Sequence, residues 1–556
     1  MPKVHFILQN LTVEVPERRS LLAAIRSAGI RFDLPCNGAG TCGKCRVRLD
    51  AATRAHAVES PHNKIAEADR AAGWSLACQT FVHGDLAVEV PLKKDEGLKI
   101  LREGQTVAVD IEPWFEKSFD PVSNRTAVIA GGRIVASESG DTTAALYGVA
   151  IDIGTTTMVV ALVDLRDGRE LAHASALNPQ ARHAQDVLSR IKLGSTPEGL
   201  RTLHTEVIAE LNRLVAEAAA EARIDRAHLY EAIFSGNTTM IHLATGTDPA
   251  SLGKYPYTPR LRGGESVDAA SIGLELAPGG QVYLPPIMSA YVGADITSGI
   301  LATDLAALRG VTLFVDIGTN GEMVLAADGK LVATSTAAGP AFEGMNIACG
   351  MRAGRGAIEF VSLAGDSVEL RTIGETAPTG VCGSGLLDAV AEFAAHGAVD
   401  KNGRFRTNGA APDRPWKDRL GTLDGKPVFR LTDTVYLSQK DIRQVQLAKA
   451  AVRTGIESLL AAVGRTAAQV DRVLIAGSFG FHLRTASLIH LGLLPREFAD
   501  RVEFVGNTSK SGARAFLLNR RTREHLGRTV TGVQVLELAN DAAFQRTFVD
   551  ALAFAS

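Results

Sequence analysis

The chain has 556 residues and a formal net charge of −2, a length that predicts two to four domains. The balanced charge excludes an electrostatic case for binding nucleic acid or an anionic membrane surface. Its longest apolar runs are of strand length, well short of the ~20 residues that span a bilayer. The N-terminus has no signal-peptide pattern, and six cysteines in so long a chain do not form a disulfide framework. We therefore expect a cytoplasmic protein with no nucleic-acid partner and no membrane association.

Residues 1–92 have the pattern of one small domain. Alternating apolar residues over 4–8 and 11–15 predict a β-hairpin, and Ser20 is placed to cap a helix that ends near Gly29. Further strands are expected at 46–49 and 85–91. Residues 93–146 are polar at first and then broken by Gly, Pro, Ser and Asp, which predicts a linker with one small β-hairpin and no core of its own.

A cysteine-rich loop lies inside this first domain. The stretch CNGAGTCGKC contains Cys36, Cys42 and Cys45 with the spacing C-x5-C-x2-C, and Cys78 follows farther along. Three thiolates in a Gly-rich loop and one remote thiolate are typical of plant-type ferredoxins, whose usual spacing is C-x4-C-x2-C…C. The extra residue resembles the adrenodoxin-like members. We expect these four cysteines to hold a [2Fe–2S] cluster, with a zinc site or inert buried thiols as the alternatives.

From residue 147 onward, short apolar strands alternate with amphipathic helices, which predicts an α/β fold. A strand–turn–strand unit at 147–165 is followed by a helix at 199–222 and by strands at 232–235, 313–316 and 473–476. The segment VAIDIGTTTMVVAL is repeated as LFVDIGTNGEMVLA, with Asp152 and Asp316 in register. Two copies of one strand–turn–strand unit predict two similarly folded lobes, at 147–312 and 313–556.

The two repeated turns resemble the phosphate loops of the actin–hexokinase–Hsp70 superfamily. The chain has no G-x-x-x-x-G-K-[ST] motif, so a P-loop is excluded. The resemblance implies that ATP binds between the lobes and that Asp152 and Asp316 hold Mg²⁺ through water or position the attacking water. Tight turns with unpaired N–H groups bind anions, and nearby carboxylates require a cation. The residues implied to bind nucleotide are Gly154, Thr155, Thr156, Thr157, Gly318, Thr319, Asn320, Gly321, Gly383, Ser384, Gly385, Gly477 and Ser478. The simpler alternative is that these glycines only end strands.

Other polar residues in the lobes have two interpretations each. Glu322 and Glu343 either take part in positioning Mg²⁺ or water, or are solvated or capping carboxylates. Lys510 lies in GNTSKSGARAF, which predicts the start of a helix, and it either contacts phosphate or lies at the surface. Cys349 and Cys382 do not have the order and spacing of a second cluster, so we expect small buried residues there.

The combination of a ferredoxin-like head, a linker and two ATPase lobes resembles the reductive activators of corrinoid-dependent methyltransferase systems. The segments NPQARHAQDVLSRI, SGNTTMIHL, YVGADITSGI and STAAGPAFEGMNI also resemble that family. The resemblance implies an enzyme that passes one electron from the cluster to a Co(II) corrinoid protein and uses ATP to drive the step. An upstream electron donor and a homodimer are implied with it. The alternatives are an ATP-driven donor to another low-potential metalloenzyme and a small-molecule kinase with a fused ferredoxin head.

Overall fold

The computed structural model describes residues 1–30, 40, 43–61, 63, 65–91, 104, 107–363, 367–406, 416–477, 483–538 and 542–555. The chain divides into two compact units, one of residues 1–98 with 180–190 and the other of residues 99–179 with 191–556. None of the helices within the described ranges is both long enough and apolar enough to cross a membrane.

The first unit is built around one mixed sheet. Its strands and helices are β1 Lys3–Phe6, β2 Leu11–Glu14, β3 Arg46–Leu49, β4 Ala57–Glu59, β5 Trp74–Leu76, β6 Thr80–Val82, β7 Leu86–Glu89, α1 Leu21–Ser27 and α2 Glu67–Ala71. The sheet order is β2-β1-β7-β3-β5, with β1 parallel to β7. The predicted hairpin and helix are both present, and Ser20 caps α1 by accepting a hydrogen bond from the Ala23 N–H at 3.3 Å. The buried face of α1 and the inner sides of β1 and β7 form the core of this unit.

The segment expected to contain one hairpin forms three antiparallel strands, β8 Phe115–Asp120, β9 Arg125–Ala130 and β10 Arg133–Ser139. The buried side chains of Phe115 and Val128 pack in one cluster with Tyr230 and Phe516 of the second unit. This small sheet is stabilised by the apolar surface of the lobes. The domain boundaries given above stay predictions.

The two predicted lobes have the same strand plan. The first has β11 Tyr147–Ile153, β12 Thr157–Asp164, β13 Glu170–Leu177, β14 Leu229–Gly236, β15 Glu265–Asp268, β16 Gln281–Leu284, α3 Val187–Gly194, α4 Pro197–Ala222, α5 Thr238–Ala244 and α6 Ala294–Ala302. Its sheet order is β13-β12-β11-β14-β16-β15, with an antiparallel meander β11–β12–β13 and a parallel pairing of β11 with β14 and of β14 with β16.

The second lobe repeats this plan. Its elements are β17 Thr312–Ile317, β18 Gly321–Ala327, β19 Lys330–Thr336, β20 Ala357–Ser362, β21 Glu369–Thr372, β22 Gly380–Val381, β23 Leu420–Leu423, β24 Lys426–Arg430, β25 Tyr436–Ser438, β26 Arg472–Ala476, β27 Val502–Gly506, β28 Gln534–Val535, α7 Gly383–Ala395, α8 Gln439–Ala462, α9 Thr485–His490, α10 Thr508–Leu518, α11 Arg521–Thr531 and α12 Ala542–Asp550. The order β27-β26-β17-β18-β19-β28 places the meander β17–β18–β19 beside the parallel pair β26 and β27. The sequence repeat therefore corresponds to a structural repeat, with Asp152 and Asp316 at matching positions of β11 and β17.

Helices α6 and α10 cross at close range where the two lobes meet. A Cβ atom on Gly512 of α10 would lie under 3.0 Å from the backbone carbonyl of Ser298 in α6. Such an overlap with backbone is relieved only by moving a helix, and α10 also packs against β11 and β14. Glycine at 512 therefore permits the crossing that fixes the start of α10 near Asp152.

Gly512→Ala is expected to destabilise the second unit by about 1–3 kcal/mol, because overpacking outweighs the helix propensity gained. Gly527→Ala is the matched control, since Gly527 also lies within a helix and no atom stands within 4 Å of the position that its methyl group would take. That change should be neutral or stabilising by up to about 1 kcal/mol. Thermal melting followed by circular dichroism compares the two, and equal melting temperatures would contradict the close crossing.

Candidate functional site

Two of the four predicted cluster cysteines lie together in the first unit. Cys45 immediately precedes β3, and Cys78 lies in the turn after β5, which pairs antiparallel with β3 through Arg46 and Leu76. This pairing brings the two Sγ atoms to 3.1 Å, too long for a disulfide bond. Both side chains are buried, so the sequence folds two soft ligands into one place as a metal cluster requires. Cys36 and Cys42 lie outside the described residues.

The first phosphate loop is the turn between β11 and β12, at residues 154–156. The Gly154 N–H closes the turn on the Thr157 carbonyl at 2.9 Å. Asn178 then binds two carbonyls of the turn, with its side-chain amide on Gly154 and its backbone N–H on Thr156, both at 2.9 Å. Because C=O and N–H point in opposite directions across a trans peptide, the Thr155 N–H faces away from Asn178. Asn178 thus fixes the conformation of this turn.

The second loop is the equivalent turn between β17 and β18, at residues 318–320. The Gly318 N–H donates to the Asn320 carbonyl at 3.0 Å, and Gly321 begins β18. Gly477 follows β26 with φ +105°, and a Cβ there would lie 2.8 Å from Asp316 Oδ1. Only glycine fits beside that carboxylate, so Gly477 lies at the site. Ser478 lies outside the described residues.

Four carboxylates gather at the ends of these hairpins. Burial, followed by repulsion from Asp295 and Asp152, raises the pKa of Asp316 to about 8. Burial, with repulsion from Asp152, raises the pKa of Asp295 to about 7. Burial also raises the pKa of Glu322 well above its usual value, with Asp295 and Asp316 adding to the effect. Glu322 is buried, so its interpretation as a solvated carboxylate is wrong. A site with this much unbalanced negative charge favours a bound cation.

Asp152 is held by the first turn of α10. The Asn507 side-chain amide donates to Asp152 Oδ2 at 2.8 Å, and the Ser509 hydroxyl donates to Oδ1 at 2.7 Å. Burial nevertheless raises the pKa of Asp152, against these hydrogen bonds and the positive charge of Lys510. Lys510 is buried and its ammonium lies 3.0 Å from the Glu170 carboxylate, so the alternative of a surface lysine is wrong and contact with phosphate stays a prediction. The predicted helix start at this segment is confirmed.

Among the described residues, no three carboxylate, histidine or cysteine side chains are arranged to hold one metal ion directly. The carboxylates are therefore near enough to raise one another's pKa but not arranged as a preformed set of ligands.

Glu343 joins the two phosphate loops. It ends the short 3-10 turn Pro340–Glu343 and is 5% exposed. Its Oε2 accepts a hydrogen bond from the Thr156 hydroxyl at 2.6 Å, and its Oε1 accepts one from the Thr319 hydroxyl. The expectation of a solvated or capping carboxylate is therefore wrong, and one side chain connects threonines of both lobes.

The segment 383–385 forms the first turn of α7, as its sequence predicts. A Cβ on Gly385 would lie under 3.0 Å from the backbone carbonyl of Ile358 in β20, so close packing alone requires glycine there. Ser384 is buried and its hydroxyl lies 3.4 Å from the Cys382 Sγ. Contact of this turn with nucleotide stays a prediction.

Cys349 and Cys382 have protein partners of their own. The Cys382 thiol donates to the Ile358 carbonyl at 3.3 Å, and burial raises its pKa. The Cys349 sulfur accepts the Tyr436 N–H at 3.5 Å. A thiol whose pKa is raised is a poor metal ligand at neutral pH. The prediction of a small buried residue is confirmed for Cys382, whereas Cys349 is only half-buried.

Sequence reasoning misses three contributors to the site, Asp295, Asn507 and Ser509. Asp295 lies in the first turn of α6 within YVGADITSGI, and the other two lie in GNTSKSGARAF. The available signal is a polar residue at the start of a helix that follows a sheet strand. Nothing in the sequence alone indicates which of these side chains would point toward Asp152.

Three family models match the chain in order. They are the 2Fe-2S iron-sulfur cluster binding domain over residues 6–83, the RACo middle region over 147–307, and the C-terminal domain of RACo, the ASKHA domain, over 310–556. The predicted fold class, a ferredoxin-like head followed by an actin-like domain, is confirmed by these matches.

Relatives that match two thirds of the chain or more are also found. The structure of a "Reductive activator for corrinoid,iron-sulfur protein" is 32% identical, with a TM-score of 0.73 over 100% of this chain and 98% of that one. The corrinoid activation enzyme RamQ of Eubacterium limosum is 29% identical over 98% of both chains. A Co(II) methylated amine-specific corrinoid protein reductase of Methanosarcina barkeri is 24% identical over 67% of this chain and 70% of its own.

Proposed function

The chain belongs to the family of reductive activators of corrinoid proteins, and on that premise we propose that it is an ATP-dependent enzyme that reduces the Co(II) form of a corrinoid protein to Co(I). One electron enters Co(II), and the head domain is oxidised by one electron in the same step. ATP and water become ADP and phosphate in the lobes. The observation that carries the proposal is the presence, in one chain, of a buried cysteine pair and of two duplicated phosphate loops with their carboxylates.

The head supplies the electron. Cys36, Cys42, Cys45 and Cys78 would hold a [2Fe–2S] cluster, which supplies one-electron chemistry when bound. Cys45 and Cys78 fit that group because they are buried, adjacent and not joined by a disulfide. An electron donor upstream of the head would reduce the cluster again after each turnover.

ATP binding and hydrolysis in the lobes would supply the free energy for this electron transfer. Plant-type clusters have potentials near −400 mV, and we expect Co(II) to require a lower one. A shortfall of about 100 mV is equivalent to about 2.3 kcal/mol for one electron. ATP can supply this only if the nucleotide-bound enzyme favours one form of the corrinoid protein over the other. Docking of the ATP-bound enzyme that removes a ligand from Co(II) would raise the potential of the cobalt and meet this requirement. ATP hydrolysis would then return the complex to its starting state.

Different residues of the second unit would bind the phosphates of ATP, hold Mg²⁺ and position the attacking water. The turn at Thr155 and the turn at Thr319 would bind phosphate oxygens through backbone N–H groups and through the Thr156 and Thr319 hydroxyls. Asp152, fixed by Asn507 and Ser509, would hold Mg²⁺ through water. Asp316 would orient the attacking water and accept its proton as the bond to the γ-phosphorus forms and the bond to ADP breaks.

Anaerobic absorbance of a Co(II) corrinoid protein mixed with the full chain and a chemical reductant tests the proposal. The Co(I) band is expected to appear with Mg-ATP and to be absent with Mg-ADP or without nucleotide. Reduction at one rate in all three mixtures would leave an electron carrier whose lobes serve another purpose. Hydrolysis of ATP without reduction of several corrinoid proteins would point to a different redox partner.

We further propose a homodimer, on the family resemblance alone. Sedimentation equilibrium of the full chain measures its mass directly, and a single species at the 58.8 kDa of one chain would contradict it.

A further inference from the structure

The Glu343 bridge is the contact of the Glu343 carboxylate with Thr156 and Thr319, and it occupies one threonine hydroxyl in each of the two loops. The two hydrogen bonds join residues 187 and 24 positions apart in the chain. Hydrogen bonds to a charged acceptor are stronger than those between neutral groups. The bridge therefore fixes the spacing of the two turns.

The backbone around Glu343 holds the carboxylate in this position. Gly344 follows it with φ +70°, and a Cβ there would lie under 3.0 Å from backbone atoms of Met351. Phe342 and Ala341 of the same turn are buried in the main core of the second lobe. These packing contacts hold the turn that carries Glu343, so the carboxylate is kept beside the two threonines.

We propose that Glu343 is a positioning residue that acts as an internal anion, holding the loop threonines until the phosphates of the nucleotide displace it. The inference rests on the proposed ATP site in these lobes. A carboxylate with two oxygens in contact with two hydroxyl donors presents the same chemistry as two phosphate oxygens. Phosphate and Glu343 cannot both accept from the two hydroxyl protons, so nucleotide binding must break the bridge.

The bridge lowers the apparent affinity for nucleotide by a factor equal to the fraction of molecules in which it is open. Weakening it should therefore tighten binding without adding any contact to the ligand. If the bridge is closed in about nine molecules of ten, opening it fully gives about a tenfold change. Displacement would also release the turn Pro340–Glu343, so that nucleotide binding is transmitted to the core of the second lobe.

Calorimetric titration of the full chain with Mg²⁺ and a non-hydrolysable ATP analogue tests the inference. Glu343→Gln is expected to lower the Kd by up to about tenfold, since neutral hydrogen bonds are about half as strong and the bridge is then open in more of the molecules. Glu343→Asp keeps the charge but is one methylene too short to reach both hydroxyls, and it should also lower the Kd. Glu524→Gln is the control, an exposed carboxylate on α11, and should leave the Kd unchanged.

Glu343→Gln also removes a negative charge near the phosphates, and the loss of that repulsion would tighten binding by itself. A double-mutant cycle separates this electrostatic effect from the effect of opening the bridge. In the background Thr156→Val/Thr319→Val, the bridge is absent, so Glu343→Gln should have no effect on the Kd. The same tightening in that background, or no tightening by Glu343→Asp, would overturn the inference. A Kd raised or unchanged by Glu343→Gln, in protein whose melting temperature is normal, would overturn it as well. Failure of every form, wild type included, to bind the analogue would instead refute the proposed ATP site and the inference with it.

Discussion

Cys45→Ser is expected to abolish the reduction of Co(II) while ATP hydrolysis by the lobes continues. Cys45 is 1% exposed and its sulfur lies 3.1 Å from that of Cys78. Serine offers a hard oxygen in place of a soft thiolate, which suits iron–sulfur ligation poorly. Changes to groups around a metal ligand already cost about 10–100-fold in affinity or activity, so loss of a ligand should reduce the rate by more. The iron content, the visible absorbance of the head and the rate of Co(I) formation measure the effect.

Cys349→Ser is the matched control for this experiment. Cys349 lies in the second unit, where its sulfur accepts the Tyr436 N–H, a bond that a serine oxygen can also accept. Iron content and Co(I) formation should match the wild type. Normal Co(I) formation by Cys45→Ser would remove the head from the electron path. Loss of iron in Cys349→Ser would instead indicate that the assignment of the cluster to the head is incomplete.

The repetition in the sequence is enough to predict the two lobes. Alternation of apolar residues and the Gly turns in VAIDIGTTTMVVAL are local signals, because strand and turn preferences depend on neighbouring residues. The duplicated segment then places Asp152 and Asp316 at equivalent points of β11 and β17, as the structure has them. The cap at Ser20 and the start of α10 are predictable for the same reason.

The contacts that complete the site cannot be predicted in this way. Asn507 bonds to Asp152 over a separation of 355 residues, and Glu343 bonds to Thr156 over 187. Such pairs depend on how α10 and the turn before Glu343 pack, and packing is decided by side-chain shape across the whole lobe. The sequence therefore indicates the loops and their aspartates but not the side chains that hold them in place.

The second large effect is expected from Asp316→Asn, which should lower the rate of ATP hydrolysis by about 10²–10⁴. Burial and the neighbouring Asp295 and Asp152 raise the pKa of Asp316 from 3.8 to about 8, so at pH 7 we expect a proton on this group until the positive charge of Mg²⁺, bound with ATP, displaces it. An asparagine side chain has nearly the shape and charge of that protonated acid. The variant should therefore fold normally yet lack the carboxylate that orients water and accepts its proton.

The same shift predicts how stability depends on pH. An acid whose pKa is higher in the folded chain than in the unfolded chain binds more protons when folded, so the free energy of unfolding falls as pH rises. For Asp316 the stabilising effect is fully present below about pH 4 and is lost as pH rises to about 8. The asparagine of the variant does not titrate. Without Mg²⁺ and nucleotide, the melting temperature of the variant should therefore increasingly exceed that of the wild type as pH rises from about 5 to about 8.

Glu503→Gln provides the control, because Glu503 lies on β27 of the same sheet, exposed and paired with Arg472 at 2.7 Å. It should leave the hydrolysis rate unchanged. An Asp316→Asn variant that hydrolyses ATP at the normal rate would show that another group orients the water, with Asp295 as the next carboxylate in the cluster. A variant that is inactive but shows no gain in stability toward alkaline pH would mean that Asp316 is already ionised in the nucleotide-free chain. In that case a bound cation, and not a proton, balances the charge of the four carboxylates before ATP arrives.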